Sequence, residues 1–241
     1  MNKKIKTVFV KSGKARNLEN EFCSQKLAYE TAKRSGSKII VPEPIARIGT
    51  ELTMENLSGI KSLKNVSVAP QVVHYNNCIN FLEKIKVNEK VGIQKTNSHY
   101  QAISLPYFLL KNIISYPEHL PLFLLSAFKI MKYTPKWLRL KSDSFCQGDI
   151  NIGNVYEFKG KTVLLDWGEA TISHKYFDRA IALNSTWYKK DFRKKLLAGN
   201  KDKILQSFVA FNLMQRLTNR LKNQKQAGHY LNSLKEISKN I

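Results

Sequence analysis

The chain is short of cysteine, and this shortage weighs against two kinds of structure. Its 241 residues include three cysteines, Cys23, Cys78 and Cys146, which are odd in number, far apart and without Cys-x-x-Cys spacing. This is not the pattern of a disulfide framework or a zinc site. We therefore expect a reducing compartment, and we interpret Cys146 as a small buried apolar residue.

Long apolar runs and repeats are absent as well. The start of the chain, Met1 to Lys6, is basic like a signal peptide, but Lys11, Lys14 and Arg16 interrupt any apolar core that would follow. We therefore expect no signal peptide and a cytoplasmic protein, with the inner face of the membrane as the alternative location. The apolar content of 43% is enough for a substantial core.

The most apolar stretch runs from Leu120 to Met131. It is too short to span a bilayer, and Pro121 and Lys129 interrupt it. A buried helix is the first interpretation. A helix that faces a membrane or recognises lipid is the alternative.

Acidic residues are scarce. Asp and Glu number 18 against 40 Lys and Arg, which gives a formal net charge of +22. Such a field attracts anions, so an acidic or phosphorylated small molecule, an anionic membrane and nucleic acid all fit. Nucleic acid is the least favoured because no recognised module or aromatic stacking platform accompanies the charge. The oligomeric state is not indicated.

Residues 145–169 hold most of the functional information. Asp149 and Asn154 lie five residues apart on a loop that Gly148 and Gly153 keep compact. After this loop the sequence predicts a β-hairpin that ends immediately before a second aspartate.

The predicted hairpin has strands at 155–158 and 162–165, joined by a turn at 159–161. It returns Asp166 to the neighbourhood of Asn154. Two oxygen ligands can then converge on a hard cation such as Mg²⁺.

These residue types suit phosphoryl transfer. In that reaction the protein mainly positions a hydroxyl, while metal ions hold the phosphates and absorb developing charge. We predict that Asp149 orients the attacking hydroxyl or accepts its proton. Asn154 and Asp166 are the predicted metal ligands.

The sequence of residues 145–169 resembles that of the aminoglycoside phosphotransferase and choline kinase family. The family's His-Gly-Asp-x-x-x-x-Asn loop and Ile-Asp-Trp motif correspond to residues 147–154 and 165–167. Tyr176 to Ala180 resembles a later family segment whose aspartate is structural. Gln147 stands where the family has His. It can brace the loop by hydrogen bonds but cannot titrate.

The resemblance implies an N-terminal site for the nucleotide phosphates. Thr7 to Lys11 predicts a strand that presents Lys11, and residues 17–33 have helical spacing. In the family, such a lysine contacts the phosphates of ATP and pairs with a glutamate on the next helix. Glu21 is the favoured partner, with Glu19 and Glu30 as alternatives.

A hinge is implied further along. Residues 51–59 resemble the family's Met-Glu-x-Leu-x-Gly hinge, whose backbone faces the nucleotide base. Glu55 and Leu57 are therefore expected at the nucleotide. Only ten residues precede Lys11, too few for the family's complete nucleotide-covering hairpin.

The expected fold class is α+β, a bilobal protein-kinase-like fold. Residues 1–59 would form a small, shortened β-rich nucleotide lobe, and residues 60–241 a mainly helical lobe with the catalytic hairpin and acceptor site. Helices are expected at 76–87 and as amphipathic helices over 203–239.

The leading functional hypothesis is an ATP- and Mg²⁺-dependent kinase that phosphorylates a hydroxyl of a small molecule or a sugar- or lipid-linked acceptor. The net charge favours an anionic acceptor over a polycationic aminoglycoside. A catalytically weak or inactive kinase-fold binding protein is the second hypothesis. A basic protein associated with membrane or nucleic acid is the third.

Overall fold

A computed structural model describes residues 7–87, 93–96, 98–185, 189, 191–197, 201–219 and 224–241. The chain groups into two compact units, one of residues 1–95 with 143–172, the other of 96–142 with 173–241. This grouping follows internal packing. The predicted division into a nucleotide lobe and a helical lobe at residue 59 is defined by function instead of packing, and it stays a prediction.

The first sheet of unit 1 has three antiparallel strands. Strand β1 (Val8–Ser12) pairs with β4 (Glu51–Glu55), which also pairs with β3 (Pro44–Ile48). The register places Lys11 opposite Leu52. The strand predicted from the β-branched and aromatic run at Thr7 to Lys11 is therefore confirmed.

Helix α1 (Ala15–Ser35) follows β1 and packs on β3 and β4. It ends at Gly36, whose left-handed backbone (φ 57°) lets its N–H return to the carbonyl of Ala32. The helix predicted over 17–33 is confirmed and extends by two residues at each end.

The second sheet contains the predicted hairpin. Short strand β2 (Ile39–Ile40) runs parallel to β8 (Lys161–Leu164), which pairs antiparallel with β7 (Val155–Phe158). Strand β5 (Lys61–Ser62) completes the sheet beside β7. A separate pair joins β6 (Ser144–Cys146) to β9 (Thr171–Ser173).

The hairpin turn is tighter than the sequence predicted. Lys159 and Gly160 both have positive φ, 49° and 76°, the conformation of a two-residue turn. Lys161 therefore belongs to the second strand, one residue earlier than expected.

The first helix after the predicted hinge begins earlier than expected. Helix α2 spans Val68–Leu82, whereas the apolar spacing had indicated 76–87. Ser67 takes the extended backbone of an N-cap residue (ψ 164°) and so starts the helix there. Beyond the helix, the N–H groups of Lys84 and Ile85 reach back only three residues, which ends α-helical pairing.

Unit 2 is helical. Its helices are α3 (Ser98–Ser115), α4 (Leu120–Trp137), α5 (Phe177–Ser185), α6 (Phe192–Leu197), α7 (Lys203–Asn219) and α8 (Gln224–Asn240). Helix α7 packs against α3, α4, α5 and α8. The predicted helices over 203–239 are thus present, although residues 220–223 lie outside the described part.

Helix α7 is buried on most sides instead of being amphipathic, because four helices surround it. Its Phe208 stacks on Trp137 with ring centroids 4.1 Å apart and on His174 at 4.2 Å. The indole N–H of Trp137 donates to Ser207 Oγ at 2.9 Å. These aromatic contacts fix α4 and the segment before α5 against α7.

The apolar stretch 120–131 is helical but not fully buried, which corrects its first interpretation. Phe123 and Ile130 are buried, whereas Leu124 and Phe128 are exposed. Only one side of α4 faces the core. Among the described residues, no helix is long and apolar enough to cross a membrane.

We predict that His174 makes stability depend on pH. Burial lowers the pKa of its imidazole to about 4, from an ordinary value of 6.5. The folded protein thus keeps His174 neutral while the unfolded chain takes up a proton. Stability present above pH 6.5 should fall by about 3 kcal/mol as the pH drops towards 4.

The measurement is urea unfolding of wild type and His174→Phe, which keeps a ring against Phe208, at several pH values from 7 to 4. The wild-type free energy of unfolding should decline more steeply than that of the variant. Parallel curves for the two proteins would contradict the prediction.

Candidate active site

Helix α1 turns an unusual polar side towards the interior of unit 1. Asn20, Glu21 and Gln25 are all nearly fully buried, together with apolar Leu18 and Ala28. Buried polar groups need partners. Each of these three finds one on a different segment of the unit, so the helix organises the site.

Glu21 binds Lys11 from strand β1. The Lys11 Nζ lies 2.9 Å from Glu21 Oε1 and 3.0 Å from Asp166 Oδ1. Of the three glutamates left open by the sequence, Glu21 is the one at ion-pair distance, whereas Glu19 pairs with Arg47. The lysine thus joins β1, α1 and the residue that follows the hairpin.

Burial acts in opposite directions on the pKa values of Lys11 and Glu21. Desolvation alone would lower the pKa of Lys11, but hydrogen bonds and charge from Glu21 and Asp166 outweigh it and raise that pKa. Desolvation raises the pKa of Glu21, and Lys11 opposes the rise. The lysine therefore stays cationic at neutral pH.

The loop after β6 places two of the predicted residues together. Asn154 Nδ2 donates to the backbone oxygen of Asp149 at 2.8 Å and to its Oδ2 at 3.1 Å. Asn151 Nδ2 donates to the same Oδ2 at 2.6 Å. The Asp149 carboxylate is therefore held by two amides through one oxygen.

Gln147 braces this loop against the end of the hairpin. It is fully buried, and its Oε1 accepts the N–H of Asp149 at 2.9 Å. Its Nε2 donates to the carbonyls of Leu165, at 3.2 Å, and Asp166. One amide side chain thus supplies both an acceptor and a donor, and it needs no charge to do so.

Asp166 and Gly148 have left-handed backbones. The φ of Asp166 is 57°, a conformation that aspartate tolerates better than most residues. Gly148 has φ 87°, and a Cβ placed there would lie 1.9 Å from the carbonyl oxygen of Glu169. The loop and the segment after the hairpin touch at this point, which admits glycine alone.

Asn20 fastens the segment after Asp166 to helix α1. Its Nδ2 donates to the carbonyl of Ala170 at 2.9 Å and, more weakly, to that of Gly168 at 3.4 Å. Its Oδ1 accepts the N–H of Gln94 at 2.9 Å. The position of Asp166 is thus set from both sides, by Gln147 and by Asn20.

A cavity of about 380 Å³ opens among these residues, large enough for a small ligand. Its polar lining includes Lys11, Glu21, Asn154 and Asp166. Its apolar lining includes Phe9, Pro42, Met54, Leu57, Ile60, Leu165 and Trp167. A flat apolar base and a charged phosphate chain are the two chemistries that such a lining accommodates.

The predicted hinge residues Glu55 and Leu57 also line the cavity. The N–H of Glu55 donates to the carbonyl of Glu43 and that of Asn56 to the carbonyl of Thr7, so the residues just before β3 and β1 use both amides. Within the described part of the chain, the N–H of Leu57 is bonded to nothing. The backbone of Leu57 therefore offers a hydrogen-bond donor at the cavity.

The donor set fits Mg²⁺ held jointly with phosphates. Since the Asn154 amide nitrogen binds Asp149, its Oδ1 is the atom that can act as a ligand beside the Asp166 carboxylate. In the described ranges no three His, Cys, Asp or Glu side chains cluster to hold a metal. Mg²⁺ commonly takes one or two protein oxygens and completes its shell with phosphates and water.

Sequence reasoning missed several functional positions. Asn20, Gln25 and Asn151 were not singled out, although their hydrogen bonds shape the site. Gln25 Nε2 donates to the carbonyl of Pro42 at 2.8 Å. The available signal was the spacing of Asn20, Glu21, Ser24 and Gln25, which puts polar residues on the side of α1 that carries Leu18.

No protein-family model matches the sequence, and no curated protein matches it significantly. Solved structures do. A thermostable mutant of aminoglycoside phosphotransferase APH(4)-Ia, bound to AMP-PNP and hygromycin B, superposes with a TM-score of 0.65 at 11% identity, covering 97% of this chain and 85% of that one.

Two further solved structures also superpose on this chain. The GDP complex of aminoglycoside 2'-phosphotransferase-IIIa gives a TM-score of 0.63 at 18% identity, covering 94% of this chain and 83% of that one. Choline kinase LicA from Streptococcus pneumoniae gives a TM-score of 0.59 at 13% identity, covering 99% of this chain and 87% of that one. The chain therefore has the kinase-like α+β fold of these phosphotransferases, as its motifs predicted.

We predict that Gly148 is indispensable to the loop. Gly160 also has positive φ but open space around its Cα, so it is a matched control. Gly160→Ala should cost about 1 kcal/mol for the backbone conformation alone. Gly148→Ala adds the clash with the Glu169 carbonyl and should cost about 3 kcal/mol or more.

Chemical unfolding of both variants measures the two costs. Equal free energies of unfolding for Gly148→Ala and Gly160→Ala would show that the close approach to Glu169 is not rigid.

Proposed function

We propose that the protein is an ATP-dependent phosphotransferase that moves the γ-phosphoryl group to a hydroxyl of its acceptor. The carrying observation is the convergence of Lys11, Glu21, Asn154 and Asp166 at one cavity, with Asp149 hydrogen-bonded to Asn154. The fold, shared with phosphotransferases crystallised with nucleotides, supports the same proposal.

In this proposal the apolar lining holds the nucleotide base. Phe9 and Met54 face each other across β1 and β4, and both line the cavity. Leu57 would donate its N–H to the base. Lys11, fixed by Glu21, would then contact the phosphates.

Asp149 would receive the acceptor. Its Oδ2 is held by Asn151 and Asn154, which leaves Oδ1 to accept the hydroxyl proton. The acceptor oxygen would form a bond to the γ-phosphorus while the bond from that phosphorus to the β–γ bridging oxygen breaks. ADP leaves, and Asp149 carries the proton until solvent takes it.

Asn154 and Asp166 would hold Mg²⁺, which when bound neutralises charge on the phosphates. Asp166, whose backbone is left-handed, lines the cavity. Gln147 and Asn20 keep it there through the backbone on either side.

The acceptor would be anionic or neutral. The net charge of +22 favours approach of negatively charged molecules and disfavours polycations. Phosphorylated sugars and lipid-linked sugars are therefore better candidates than aminoglycosides.

One prediction from this proposal concerns nucleotide binding. AMP-PNP with Mg²⁺ at a hundred times its Kd should raise the melting temperature by about 5 °C or more. Asp166→Asn should lose the part of this rise that depends on Mg²⁺. Asparagine tolerates the left-handed backbone, so this change removes charge and not conformation.

Asp143→Asn, an exposed change of equal charge, is the control and should respond like wild type. A melting temperature that nucleotide and Mg²⁺ leave unmoved would contradict the proposed site.

Another prediction from this proposal concerns turnover. Asp149→Asn should retain the nucleotide-dependent rise in melting temperature but transfer phosphate at least about 100-fold more slowly, since a positioned base contributes that much or more. ADP release is measured with a panel of sugar phosphates, choline and an aminoglycoside.

Binding of nucleotide without transfer to any acceptor in wild type would favour a kinase-fold binding protein over an enzyme. Equal turnover by Asp149→Asn and wild type would remove Asp149 from the mechanism.

A further inference from the structure

Helix α3 carries an apolar stripe that the fold leaves exposed. Its members recur every three or four residues and so share one side of the helix: Tyr100, Ile103, Tyr107, Leu110 and Ile114. Ile103 is 79% exposed and Ile114 71%. The other side, with Leu105 and Phe108, is buried in the core of unit 2.

Helix α4 carries a second stripe of the same kind. Its exposed apolar residues are Leu120, Leu124, Leu125, Phe128 and Met131. Phe128 is 67% exposed. The opposite side holds Phe123 and Ile130, which are fully buried.

The two stripes form one surface, which we call the α3–α4 face. Helices α3 and α4 pack against each other, and both pack against α7. Because their buried sides turn to the same helix, their exposed sides turn away from it together. Ten large apolar side chains on two adjacent helices exceed the scattered exposure usual for a protein surface.

The charges on these helices have one sign. Between residues 98 and 137 the sequence has Lys111, Lys129, Lys132 and Lys136 but a single acid, Glu118, which lies between the helices. The amino group of Lys111 lies 5.3 Å from the ring centroid of Tyr107. Such lysines keep an apolar stem beside an apolar surface while the ammonium reaches outward.

We propose that the α3–α4 face binds the surface of an anionic lipid bilayer. Apolar side chains with aromatic members would enter the boundary between headgroups and acyl chains, and the exposed Lys111, Lys132 and Lys136 would pair with anionic headgroups. Lys129 is instead turned to the carbonyl of Ser238. Binding to the bilayer is a second activity of the chain, independent of nucleotide and of the proposed phosphoryl transfer.

Charge selects the bilayer over a second copy of the protein. Two α3–α4 faces brought together would oppose Lys132 and Lys136 to like charges, with only Glu118 to compensate. An anionic bilayer offers both the apolar depth and the opposite charge.

Co-sedimentation of the whole chain with vesicles tests the proposal. We expect binding to phosphatidylcholine vesicles containing about 30 mol% phosphatidylglycerol, much weaker binding to phosphatidylcholine alone, and a decrease in about 0.5 M salt. Ile103→Ser/Phe128→Ser should weaken binding about tenfold or more through lost apolar insertion. Lys132→Gln/Lys136→Gln should weaken it about tenfold through lost charge.

Matched controls remove the same chemistry elsewhere. Ile48→Ser/Val73→Ser deletes two exposed apolar residues of unit 1, and Lys33→Gln/Lys38→Gln deletes two exposed lysines. Both should bind like wild type. All four positions on the tested face are solvent-exposed, so circular dichroism should show unchanged folding.

Three results would overturn the proposal. One is equal binding to both vesicle types. Another is an equal loss in the control variants, which would assign binding to net charge or general hydrophobicity. The third is a dimer in sedimentation velocity that Ile103→Ser/Phe128→Ser dissociates, since this would make a second copy the occupant.

Discussion

The ion pair of Lys11 with Glu21 and Asp166 is the contact on which the site depends. It joins a strand, a helix and the segment after the hairpin, which are separated by up to 155 residues of sequence. Glu21 is buried, and a buried carboxylate is stable as an anion only when paired. The lysine therefore stabilises the fold of unit 1 and also places positive charge at the cavity. The cavity cannot form without the strand, the helix and the segment that this ion pair joins.

Neutral amide side chains hold much of the rest of the site in place by hydrogen bonds. Gln147 fixes Asp149 and Asp166 through three backbone groups, and Asn20 secures the chain beyond Asp166. Gln147 was expected to brace the loop by hydrogen bonds, although it cannot titrate. In the structure this position links backbone groups, a task that an uncharged amide performs with its one acceptor and one donor group.

The two units distribute polarity in opposite ways. Unit 1 buries polar side chains along α1 to build a cavity, whereas unit 2 leaves apolar side chains exposed along α3 and α4. The buried polar side chains of unit 1 and the exposed apolar side chains of unit 2 each lie at a surface to which we assign function. Burying amides and exposing Phe128 each cost stability unless a partner compensates, internal in the first case and external in the second.

The sequence alone determined the residues of the loop and hairpin, because Asp149, Asn154 and Asp166 are close in the chain and their spacing is local. It also indicated the strand of Lys11 and the helix after it. Tertiary structure decided which glutamate pairs with Lys11, because the packing of α1 sets which side of the helix faces that lysine. It also decided that Asn20 and Gln25 enter the site, because their partners Ala170 and Pro42 lie on other segments of the chain. It likewise decided which side of α4 is exposed: a helix that is apolar on several sides does not reveal in sequence where its neighbours will pack.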